Sequence, residues 1–149
     1  MPTIKAFRMD GLGNKFVIVD RRKDIVNITK EKIIHLGNLE SIHRDIGFDQ
    51  IIFIEREIDK AFPITIFNSD GGEVSACGNG SRCVAYLLGK DLNTKEVKLK
   101  TNNRLLNAKI VGDLEVELAM GKPIFEWKEI PLSKNLNYSN ITLNLTKEI

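Results

Sequence analysis

The sequence predicts an α+β fold in which a mostly antiparallel sheet wraps a central helix. Short apolar or alternating runs recur through most of the chain before Gly121, separated by Gly, Asn and Asp turns. Most of their joins suit hairpins. Two stretches have helical character, and the second follows a glycine-rich turn, so it is the natural element for the sheet to enclose.

Ile4 to Met9 and Phe16 to Asp20 read as strands joined by Asp10-Gly11-Leu12-Gly13-Asn14. Thr29 is placed to cap a helix through Lys30-Glu31-Lys32-Ile33-Ile34-His35-Leu36, ended by Gly37 or Asn38. Gln50 to Ile54 is a short apolar run, better as a buried strand than a helix, and Ile64 to Phe67 is another. Val84-Ala85-Tyr86-Leu87-Leu88 forms the apolar body of the second helix, with Gly89 as its stop. Val97 and Leu99 mark a strand. Leu106, Ala108 and Ile110, then Leu114, Val116, Leu118 and Met120, alternate with polar residues around a Gly112-Asp113 turn. Beyond Gly121 the pattern weakens at Pro123 and Pro131, and the alternation from Asn135 to Ile149 suits a strand opening a second unit. The expected division is a first domain over 1–121 and the start of an incomplete second over 122–149.

The 149 residues suffice for one sizeable core, or for one domain and part of another. Hydrophobic residues at 42% and charged residues at 28% place the chain among soluble globular proteins. A net charge of +2 is too small to imply a nucleic-acid or membrane partner, and the densest basic run, Arg21-Arg22-Lys23, suits a solvated turn. No apolar run reaches membrane-spanning length, and the segment from Met1 to Lys5 lacks a secretory apolar region. Cys77 and Cys83 on one helix would sit roughly 9 Å apart along its axis. A disulfide needs Cα atoms within about 7 Å, so free thiols in a reducing cytosol are expected. His35 and His43 form no metal-ligand spacing with them, and both read as surface or satisfied residues.

The densest chemistry lies in the run Phe67 to Cys83. It puts Cys77 at the start of the second helix, where the positive end of the macrodipole and unpaired N–H groups favour a thiolate. The same N–H groups can hold a substrate carboxylate. An inert core thiol is the plain alternative. Four clusters combine glycine with polar side chains: Gly11-Leu12-Gly13-Asn14, Gly47-Phe48-Asp49-Gln50, Asn68-Ser69-Asp70-Gly71 and Cys77-Gly78-Asn79-Gly80. Carboxamides both donate and accept, so they can bind an ammonium and a carboxylate without a full charge in the pocket. Singly, Asn14 and Asn68 could be turn residues and Gln50 an exposed strand end. Asp70 suits a turn and Glu73 a solvated position. Cys83 reads as a buried helix residue, Arg82 as the partner of a nearby acid or carbonyl, and Trp127 as a packing anchor near the domain boundary.

In this order the four clusters closely resemble the N-terminal half of diaminopimelate epimerases. The matching motifs are Gly11 to Phe16, Gly47 to Gln50, Phe67 to Gly71 and Cys77 to Cys83, within a likeness spanning roughly residues 4 to 125. The resemblance implies cofactor-independent inversion of one α-carbon of LL-diaminopimelate by two cysteines, in lysine and cell-wall precursor synthesis in the cytoplasm. It implies Cys77 as one acid/base residue, Asn14, Gln50, Asn68 and Asn79 as ligand amides, and Gly78 and Asn79 as N–H donors to the α-carboxylate. It implies a small-molecule substrate, no metal, and full-length members able to dimerise. The family pattern also carries a second cysteine, a Glu-Arg pair and further asparagines in a second, similar domain. The chain is therefore expected to be an N-terminal portion (fragment, split gene or truncated copy) that binds weakly and does not epimerise alone. Asp10, Lys15, Asp45 and Asn102-Asn103 depart from the family pattern. The alternatives are another cofactor-independent racemase, such as a proline racemase relative, or a non-catalytic binding module. Asn79, where proline racemases carry His, speaks against the first.

Overall fold

The computed structural model describes residues 4–38, 47–130, 132–137 and 139–142. His43, Asp45 and the end of the alternating tail lie outside them. Strands β1 (Ala6–Gly11) and β2 (Asn14–Asp20) form a hairpin, and α1 (Lys30–Asn38) and β3 (Gln50–Ile54) follow. Next come β4 (Phe62–Asn68), the two-residue β5 (Glu73–Val74) and α2 (Gly78–Leu92). Strands β6 (Glu96–Lys100), β7 (Leu105–Gly112) and β8 (Glu115–Ala119) complete the set.

The sheet runs β1-β2-β3-β4-β6-β7-β8, with β5 beside β4. The α+β class holds, and the sheet is mixed: β2 pairs parallel with β3, and β4 with β6. Each parallel pair is bridged by a helix, α1 and α2 respectively, because parallel neighbours need a long crossover. The sheet curls, so that α2 touches β1, β2, β3, β6, β7 and β8.

The Gln50–Ile54 run is apolar on both faces because both are covered. Ile52 and Ile54 join Phe16, Ile18, Val84 and Leu88 in the core against α2. Ile51 and Phe53 join Val19, Ile33 and Phe48 in a second core against α1. Alternate residues of one strand thus feed two separate cores. Thr29 caps α1 as expected, its Oγ1 accepting from the Lys32 N–H at 3.3 Å.

Two sequence expectations need correction. Gly89 does not stop α2, which continues to Leu92 and closes on Asn93 in the left-handed region (φ 52°). Gly89 is there for space: an added Cβ would lie 2.5 Å from Ile110 Cδ1 and 2.9 Å from the Thr94 carbonyl oxygen. The β7–β8 turn centres on Asp113-Leu114, one residue later than expected, after an irregularity between Ile110 and Gly112. The described residues of the tail beyond Gly121 form no strand.

Candidate functional site

Sheet register brings the predicted amides to one end of the molecule. Gln50 is the first residue of β3 and pairs with Asn68, the last of β4. Phe16 is the parallel partner of Gln50, which sets Asn14 one strand over at the same end. The β1–β2 hairpin closes through Leu12 (φ 48°) and Gly13 (φ 89°), the two-residue turn with both central φ positive. Asn14 therefore leaves the turn directly into β2.

The first turn of α2 meets these strand ends. Cys77 is its N-cap, with extended backbone (φ −148°, ψ 106°), and its Sγ accepts from the Gly80 N–H at 3.4 Å. The Cys77 carbonyl accepts from the Ser81 N–H at 2.9 Å. Gly78 and Asn79, the first two helical residues, carry N–H groups with no intrahelical acceptor. Gly80 allows α2 to approach: a Cβ there would lie 2.6 Å from Ile52 Cδ1, 3.2 Å from Phe16 Cε1 and 3.5 Å from Cys77 Sγ.

Two amide pairs flank this turn. Asn79 Nδ2 donates to Asn14 Oδ1 at 2.9 Å, and Gln50 Nε2 donates to Asn68 Oδ1 at 2.9 Å. Gln50 Oε1 is buried and has no partner among the described residues. Asn14, Gln50, Asn68, Cys77, Gly78 and Asn79 are all half-buried, neither sealed in the core nor loose in solvent. The arrangement offers a sulfur that can accept a proton, free N–H groups for an anion, and a buried carbonyl oxygen suited to an ammonium.

Cys83 lies deeper in α2, with only 7% of its surface exposed. Burial pushes its thiol pKa up, against a smaller opposing effect of the Arg82 charge. Both cysteines are free. Asp70 serves its turn, Oδ1 accepting from the Gly72 N–H at 2.7 Å, and exposed Glu73 accepts from Asn102 Nδ2. Arg82 finds a side-chain carbonyl, donating from Nη2 to Asn79 Oδ1. Sequence reasoning missed Asp49 as a partner of the site. Its carboxylate accepts from the Lys15 N–H at 2.8 Å and from Asn14 Nδ2 at 3.4 Å. The Gly47 to Gln50 cluster contained that signal, but its amide drew attention before its acid. Beside α2, a cavity of about 400 Å³ is lined by Leu12, Asn79, Arg82, Cys83 and Tyr86 among others. Among the described residues, no three His, Cys, Asp or Glu side chains gather as a metal site. None of their helices is long and apolar enough to cross a membrane.

The architecture is that of an epimerase- and PhzF-like α+β protein. A protein described as a predicted epimerase from Pseudomonas aeruginosa superposes with a TM-score of 0.54 at 17% identity, over 74% of this chain and 40% of that one. A PhzC/PhzF phenazine biosynthesis protein from Clostridium difficile gives 0.53 at 17% identity, over 74% and 41%. At such identity these likenesses define the fold alone. The sequence decides the family: the diaminopimelate epimerase model matches residues 6–126, and the chain belongs to that family. The diaminopimelate epimerase of Pelagibacter ubique is 44% identical over 142 residues, 95% of this chain and 50% of the relative. That of Acidiphilium cryptum is 38% identical over 138 residues, 93% and 49%. The chain thus spans about half the length of the curated relatives it matches.

Proposed function

We propose that this chain supplies one half of the active site of a diaminopimelate epimerase, which interconverts LL- and meso-diaminopimelate without a cofactor. In this reading residues 1–121 are one of two similar domains, and 122–149 begin the second. Cys77 is an acid/base residue in a cytoplasmic enzyme of lysine and peptidoglycan precursor synthesis. Full-length members are able to dimerise. The observation that carries the reading is the placement of a half-buried N-cap thiol, held by the Gly80 N–H, beside the Asn14–Asn79 and Gln50–Asn68 pairs.

The chemistry follows from that placement. The Cys77 thiolate takes the α-proton and becomes a thiol, and the electron pair left on the α-carbon spreads into the carboxylate. The Gly78 and Asn79 N–H groups then stabilise the charge that builds there. An ordinary thiol has a pKa of about 8.5, and an amino-acid α-hydrogen is far less acidic. Carboxylate stabilisation and exclusion of water must supply most of the difference. Gln50 Oε1 accepts from the substrate ammonium. A second acid protonates the opposite face of the planar carbon and completes inversion. Cys83 is unsuited to that role, being buried beyond the first turn of the same helix.

The test is α-hydrogen exchange. With the second half of a family member supplied, LL-diaminopimelate in deuterated water should gain deuterium at one α-carbon. Cys77→Ala should abolish the gain and Cys83→Ala should spare it. Equal loss from both variants would reject Cys77 as the acid/base residue.

A further inference from the structure

We propose that Arg82 and Asp49 are positioning residues, fixing the direction in which the Asn79 and Asn14 amides face a ligand. The inference rests on the reading of this site as an amino-acid cradle. The four side chains form one directed chain. Arg82 Nη2 donates to Asn79 Oδ1, Asn79 Nδ2 donates to Asn14 Oδ1 at 2.9 Å, and Asn14 Nδ2 donates to Asp49 Oδ2 at 3.4 Å. An amide in isolation can turn over and exchange its donor for its acceptor. These two cannot, because the chain ends in groups of single polarity: a guanidinium only donates and a carboxylate only accepts. Asp49 is itself anchored by the Lys15 N–H at 2.8 Å. Arg82 stands one turn along α2 from Asn79 and also flanks Gly78, where a Cβ would lie 3.8 Å from its Nη1.

Each amide therefore keeps one N–H and one lone pair for a ligand, in a set orientation. Turned over, either amide would aim an oxygen where a donor is needed. Arg82 also places a positive charge beside the two residues whose N–H groups are assigned to the substrate carboxylate. The Gln50–Asn68 pair lies outside this chain and is an internal control.

The experiment observes side-chain amide ¹H–¹⁵N signals of the labelled chain and titrates it with LL-diaminopimelate. Arg82→Met should move the Asn79 and Asn14 signals together while leaving Asn68 in place. The dissociation constant should rise about tenfold, the effect of losing one charge-assisted contact. Arg82→Lys should recover part of the loss. Asp49→Asn, at the exposed opposite end, should move the same two signals and covers the case in which Arg82→Met does not fold. An unmoved Asn14 signal in Arg82→Met, or an equal affinity loss with both amides unmoved, would overturn the inference. Failure of the unaltered chain to bind LL-diaminopimelate would count against the proposed function instead, and the amide signals would still decide the positioning roles.

Discussion

Cys77 and Cys83 sit on the same helix, six positions apart, and their surroundings differ in nearly every respect. Cys77 caps the helix, accepts a backbone N–H and is half-buried at the edge of the core. Cys83 faces Gly11, Val84 and their neighbours in the core, and burial holds it protonated. The helix thus has a half-buried mouth with open N–H groups and a buried shaft. About 1.7 turns separate the two, and unsatisfied N–H groups belong to the first turn alone.

The largest expected difference between the two is in reactivity. At pH 7.5, iodoacetamide should modify Cys77 at least about tenfold faster than Cys83, read by mass spectrometry of the peptides. Equal rates would erase the distinction. The next contrast sets two glycines of the mouth against each other. Gly80→Ala should cost about 1–3 kcal/mol in denaturant unfolding, since its Cβ would press on Ile52 and Phe16. Gly78→Ala should stay within about 0.5 kcal/mol, since its nearest neighbour would be Met120 Sδ at 3.7 Å. At the far end of the helix, Asn93→Ala should cost about 1 kcal/mol and Asn93→Gly should cost nothing, because the cap sits at φ 52°. The smallest effect concerns pH. The pKa of Cys83 is higher folded than unfolded, so the native state holds its proton more tightly. Its contribution to stability is complete below the unfolded thiol pKa and is lost as pH rises through the higher folded value. Alkaline unfolding midpoints of the wild type should fall more steeply than those of Cys83→Ala.

Much of the mouth was legible in the sequence because its parts are local. The glycine turns and the Cys77 start are signals within a few residues of the structure they create. The shaft was less legible. Gly89 resembled a stop, and only the packing of Ile110 from a distant strand shows why a glycine is needed inside a helix. The parallel joins of β2 to β3 and β4 to β6 were also hidden, since no local signal chooses a partner across a crossover. Asp49 escaped for a similar reason. An acid beside an amide motif looks solvated until the fold brings Asn14 and the Lys15 N–H to it.

The alignment of Phe16, Gln50 and Asn68 across three neighbouring strands carries an evolutionary consequence. Deleting one residue within β3 would turn Gln50 to the opposite side of the sheet and exchange the contents of both cores. The loop of residues 23–28, before α1, carries no strand register and tolerates a change of length more readily. Divergence in members of this lineage should therefore accumulate as indels in that loop, while the strand lengths that align Phe16, Gln50 and Asn68 stay fixed.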